Sequence, residues 1–171
     1  MKKLSLYISI LVLSFGINNS YGQFTTTVNT NANQLAQYLA GPGVIITNAT
    51  LTCDPNSSGF FNNAPAGLGI SDGVLLTTGS VLEVDNAAGF QISNPTPATN
   101  DGDADLDTIL INQGLTYTTN DACALEFDIE VTGDTLDFQY VFSSEEYPEN
   151  GNGTTDTYVC NINDIFAFYI T

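Results

Sequence analysis

The chain has 171 residues, with 19 Asp and Glu against 2 Lys and Arg, no histidine, and a formal net charge of −17. A surface of that sign repels phosphate backbones and anionic headgroups, which argues against nucleic acid and electrostatic membrane binding. Without histidine there is no Ser-His-Asp or Cys-His arrangement and no histidine-ligated zinc.

The chain opens with Lys2 and Lys3, runs through an apolar stretch from Leu4 to Ile17 and reaches small and polar residues at Ser20, Tyr21 and Gly22. That layout predicts a cleaved export signal over residues 1–22. The apolar run is too short for a spanning helix and no later stretch reaches the roughly 20 apolar residues required, so no membrane insertion is expected after cleavage. Both basic residues leave with the signal, so residues 23–171 carry 19 acidic side chains and none that is basic. Those carboxylates have no Arg or Lys to pair with, and where they converge they stay in water, take up protons or bind a cation. Hydrophobic residues make up 43% of the chain, with 10 Phe and 8 Tyr, which suits a single domain with a packed core rather than a disordered acidic tail.

The first element after the signal reads as a helix: Thr30 or Asn31 caps it, Leu35, Tyr38 and Leu39 form its apolar stripe, and Gly41-Pro42-Gly43 stops it. Strands follow. Residues 44–52 are rich in β-branched side chains, and residues 73–78 carry Val74, Leu75 and Leu76 between turn signals. In residues 100–107 Asp101, Asp103, Asp105 and Asp107 stand at every second position. Alternate aspartates resemble a calcium loop, although Leu106 and Asn112 stand where an EF-hand has glycine and glutamate. The same residues also suit the start of a helix with Leu106, Ile109 and Leu110 on its stripe and Gly114 at its end, where negative charge complements the helix dipole. Both readings stand.

Leu125, Phe127, Ile129 and Val131 alternate with acidic residues, and after Thr132-Gly133-Asp134 the period resumes at Leu136, Phe138, Tyr140 and Phe142. This predicts a β-hairpin with one buried face, its aromatic residues in the core. Residues 143–149 then hold Glu145 and Glu146 side by side, with Asp164 following a Gly, Asn and Thr-rich stretch. Neighbouring carboxylates without a basic partner repel one another, so Glu145, Glu146 and Asp164 are candidate calcium ligands. The run from Ile165 to Ile170 predicts a strand buried on both faces. It ends at Thr171 with nothing to cover it, from which the domain is expected to be incomplete at its C-terminus.

Short strands separated by Gly, Asn, Asp and Pro predict a mainly β fold, an antiparallel sandwich or jelly-roll with one or two short helices. Cys53, Cys123 and Cys160 all lie in the exported part, where thiols oxidise, and an odd count leaves one of them free or paired elsewhere. Two function classes are open. One is a secreted or cell-surface binding or adhesion module without catalysis, directed at an extracellular ligand or surface polymer such as a glycan, with calcium in its acidic loops. The other is an extracellular hydrolase of glycosidase type, which needs only a positioned carboxylate pair, with Glu145, Glu146 or Asp164 as candidates. The lack of Trp, and aromatic residues placed at core-like strand positions, weigh against the second.

Four segments in order carry a resemblance: Gly102-Asp103-Ala104-Asp105-Leu106-Asp107, Asp121-Ala122-Cys123-Ala124-Leu125-Glu126-Phe127-Asp128, Tyr140-Val141-Phe142-Ser143-Ser144-Glu145-Glu146-Tyr147 and Asn163-Asp164-Ile165-Phe166-Ala167-Phe168-Tyr169-Ile170. With the upstream stretches at 43–52 and 69–79 they resemble the choice-of-anchor L domain, a secreted module of Bacteroidota surface proteins, over about residues 32–171. The resemblance implies a secreted surface module. It also implies a disulfide between Cys53 and Cys123, since similar sequences often have cysteine at both places. The longer stretch between Glu149 and Asn163, which includes Cys160, departs from the family pattern.

Overall fold

The computed structural model describes residues 23–84, 102–143 and 164–170. The expected signal segment, Glu145, Glu146 and Cys160 lie outside them.

Strand β1 (Thr25–Val28) leads into helix α1 (Ala32–Leu39). Asn31 caps the helix as expected: its side-chain oxygen accepts the Gln34 N–H at 3.0 Å, satisfying one of the backbone donors that a helix start leaves open. The helix ends at Ala40, ahead of Gly41-Pro42, where proline disfavours helical backbone in the residue before it. Leu35 and Ala36 are fully buried on the inner face of α1.

Strand β2 (Val44–Thr52) comes next, then β3 (Ser58–Asn62), a single 3-10 turn over Ala66–Leu68, and β4 (Gly73–Leu76). Helix α2 (Ala104–Asn112) and β5 (Ala124–Val131) complete the assigned elements. The strands make two antiparallel sheets in a sandwich-like arrangement, one of three strands in the order β1-β3-β4 and one pairing β2 with β5. Helix α1 packs against β2, β4 and β5 and so touches both sheets. It is tied to β2 by the Gln37 carboxamide, which donates to the Ile46 carbonyl at 2.9 Å, while Tyr38 lies 4.9 Å from Phe60 of the other sheet.

The core of the three-stranded sheet lies along its central strand, β3. Phe61 and Val81 are buried there with Ser57 and Ser58, two polar residues whose hydroxyls donate to the Gly79 and Asn29 carbonyls at 2.5 and 2.8 Å. Buried hydroxyls are tolerated because each has an acceptor. Gly59 faces Val28 across the β1–β3 ladder, and a side chain at that position would run into the Thr27 carbonyl. In the other sheet the ladder shifts between Thr47 and Thr50. Asn48 adopts a left-handed φ of 52° at this irregularity and its amide donates to Asp128 across the sheet at 2.6 Å, a conformation and a local bond that asparagine suits.

Two sequence expectations need correction. The predicted hairpin face is not a core face: Ile129, Val131, Leu136, Phe138, Tyr140 and Phe142 are all exposed, and the ladder of β5 is with β2. The run at 165–170 is not buried on both faces either, since Phe166, Phe168, Tyr169 and Ile170 are exposed. Alternation reports which side chains share a face. Whether another layer covers that face depends on packing.

Candidate functional site

The site region is built on the far end of the β2–β5 ladder. Thr52 pairs with Ala124 as the last rung, so the next residue of one strand and the preceding residue of the other fall side by side. These are Cys53 and Cys123, which form a disulfide with 4.3 Å between their Cα atoms across a separation of 70 residues. The bond anchors the start of β5 and therefore the segments on either side of it.

Immediately before that anchor, α2 and the stretch 113–121 fold onto each other through Thr119. Asp103 caps α2, one carboxylate oxygen accepting the Asp105 and Leu106 N–H groups at 2.9 Å each. Its own N–H donates to the Thr119 hydroxyl oxygen at 2.8 Å. Asp107 accepts the Thr119 N–H at 2.6 Å and its hydroxyl at 2.8 Å. Gly102 packs against the Thr119 backbone where no side chain fits. Gly114, at φ 80°, turns the chain out of the helix as expected.

Asp105 faces the other way and accepts the Tyr169 hydroxyl at 3.0 Å, which ties segment 164–170 to the start of α2. The Tyr169 phenol is pushed up to about 12 by desolvation, by that hydrogen bond and by the carboxylates of Asp105, Asp103 and Glu126. Because Tyr169 is about half exposed, at 50%, the acidic neighbours are the firmer physical cause.

The aspartates at 103, 105 and 107 thus have the geometry of a helix start, each turned to a different donor. Among the described residues no group of three or more His, Cys, Asp or Glu side chains is placed to hold a metal ion. Asp164 lies on the surface at the head of the last segment. An open cleft of about 170 Å3 is lined by Ala64, Pro65, Ala66, Gly69, Ile70 and Ser71, of which only Ser71 has a polar side chain, its hydroxyl donating to the Asp72 carboxylate.

The feature that the sequence reading missed lies where segments 135–143 and 164–170 run side by side. Phe138 stacks on Phe168 with centroids 4.3 Å apart and planes 11° from parallel. Tyr140 lies 5.2 Å from Phe166 at 27° and 6.3 Å from Phe138 at 25°. Phe142 stands 6.0 Å from Phe166. Five aromatic side chains therefore form one ladder, exposed by between 36% at Phe138 and 60% at Tyr140. Its signal in the sequence is the matching period-two spacing of 138, 140, 142 and of 166, 168, a spacing that a core face shares.

Fold and site together define a β-sandwich module held by a disulfide, with carboxylates used for capping and an exposed aromatic face, and without an assembled catalytic group among the described residues. Residues 20–171 match the choice-of-anchor L domain, and the chain belongs to that family. No curated protein and no solved structure matches the chain. The family places the protein with secreted or surface modules, and among the described residues no helix is long and apolar enough to cross a membrane.

Proposed function

We propose that this domain is a non-catalytic adhesion module that binds an extracellular ligand or surface polymer through the ladder of Phe138, Tyr140, Phe142, Phe166 and Phe168. The single observation that carries the reading is the exposure of these five rings in one continuous row. Contiguous apolar surface rimmed by charge is a mark of interaction sites in soluble proteins, whereas scattered single exposures are not. A glycan is one ligand class to test.

Calcium is proposed for the acidic loops, with Glu145, Glu146 and Asp164 as ligands. The support is chemical: oxygen donors suit this hard cation, and a chain with no basic residue beyond Lys3 offers no internal counter-charge. The Asp103, Asp105 and Asp107 set is the weaker candidate, because the helix cap at Asp103, the Tyr169 hydroxyl on Asp105 and Thr119 on Asp107 already occupy these carboxylates.

The test is binding of the full chain to panels of immobilised extracellular glycans and proteins, in parallel with the double variant Tyr140→Ala/Phe166→Ala. Retention that disappears in the variant is the expected result. Cleavage of any glycan offered would replace this reading with the hydrolase. For calcium, thermal melting with added calcium and with chelator should differ, because a ligand that binds only the folded state raises its stability. Identical curves, together with no heat at millimolar calcium, would remove the cation from the proposal.

A further inference from the structure

The way the rings sit against one another bears on what covers them. Where Phe138 and Phe168 stack nearly parallel at 4.3 Å, each takes a face of the other, and the near-parallel neighbours Tyr140 and Phe166 continue the row. Stacking at 4.3 Å covers one face of Phe138 and one of Phe168 and leaves their edges open. The carbohydrate platform needs the reverse, because sugar C–H groups and cations are both drawn to the electron-rich faces of aromatic rings, while the edges carry the positive end of the quadrupole. Ring edges pack well against aliphatic side chains and against the faces of another molecule's aromatic rings, as in protein interiors.

Charge narrows the partner further. Residues 23–171 carry no Lys, Arg or His, so every charged side chain around the ladder is acidic. Asp134 and Asp137 precede and interrupt the first ladder segment and Asp164 heads the second, all three on the surface. A second copy of this chain would bring like charge against like charge, and an acidic partner would meet the same penalty. A basic partner would meet a complementary rim around an apolar centre, which is the usual anatomy of a protein interface.

Resting on the reading of the domain as a binding module, we propose that the aromatic ladder is the docking face for a basic protein surface, its apolar centre covering the ring edges and its Lys and Arg side chains meeting the surrounding carboxylates. The apolar centre supplies affinity and the charged rim supplies orientation and rate of encounter.

The experiment uses the full chain and three probes: an amphipathic helical peptide of Leu and Lys, its counterpart of Leu and Glu, and a neutral β-linked hexasaccharide, each titrated calorimetrically at low and high salt. The Leu/Lys peptide is expected to bind, with affinity falling roughly tenfold or more as salt screens the rim, and the other two probes are not. Tyr140→Ala/Phe166→Ala is expected to weaken binding at least tenfold. Asp137→Asn, which leaves the rings in place, should weaken it a few-fold, and Tyr117→Ala, at an aromatic residue 70% exposed outside the ladder, should leave it unchanged. Peptide binding that survives in the double variant, or that Tyr117→Ala weakens as much, would overturn the proposal as non-specific attraction to an acidic surface. Hexasaccharide binding lost in the double variant would overturn the protein partner while sustaining the adhesion module. Absence of binding by all three probes, with far-ultraviolet circular dichroism showing the fold intact, would count against both.

Discussion

At Asp103 one carboxylate oxygen accepts two backbone N–H groups while the residue's own N–H donates to Thr119. The cap explains why an acidic residue stands there without a basic partner: the donors are the amides that a helix start leaves unsatisfied, and the dipole adds to the attraction. Asp103→Ala should therefore cost about 1 kcal/mol in denaturant unfolding, and Asp103→Asn much less, since asparagine caps as well as aspartate. If Asp103 instead served a cation, the asparagine variant would lose stability only when calcium is present. Tyr169 offers a second test. Its phenol is raised from its ordinary value of 10.0 to about 12, so the folded state favours the protonated form. The resulting stability is fully present below pH 10.0, the ordinary value, and is lost as pH rises through about 12. Tyr169→Phe should remove that alkaline dependence, read from melting temperature between pH 9 and pH 12 by comparison with the unmodified chain. Asp72 works in the opposite direction. Hydrogen bonds from Ser71 first and Tyr38 second hold its carboxyl below the usual value, so their contribution persists above the usual pKa of 3.8 and fades in stronger acid.

Among the elements, α1 and β2 are the ones most legible in advance, and they are also the ones whose local signals and packing agree. Asn31 caps, Leu35 of the expected stripe goes inside with Ala36 while Tyr38 and Leu39 stand exposed, Gly41-Pro42 stops, and the β-branched run at 44–52 becomes a strand. The partner of β2 was not legible, because β5 lies far along the chain and nothing in either strand names the other. The Cys53–Cys123 disulfide records that pairing covalently at the end of the ladder. Replacing Cys53 and Cys123 with Ser should destabilise the domain by about 4 kcal/mol for a closed loop of this length. The expected reading is a lowered denaturant midpoint with little change in secondary structure. A midpoint unchanged by reduction of the wild-type chain would show that the bond does not form in solution.

For the whole molecule the charge dominates. With 19 acidic residues and only Lys2 and Lys3 as basic ones, the folded state gathers like charges that the unfolded chain spreads out. Added sodium chloride should therefore raise the melting temperature through the first few hundred millimolar, where screening lengths shrink below the spacing of surface carboxylates. A flat or falling dependence would mean that the carboxylates are neutralised within the fold. The sequence by itself determined the sign of that field, the absence of histidine chemistry, the mainly β class, the first capped helix and the family, because each depends on local residue type or on motifs in order. It did not determine that Phe138, Tyr140, Phe142, Phe166 and Phe168 stand in solvent. Period-two alternation is the same for a face against a core and a face awaiting a partner, and only the tertiary structure, by putting α1 against β2 and β5 and leaving the ladder exposed, decided between them.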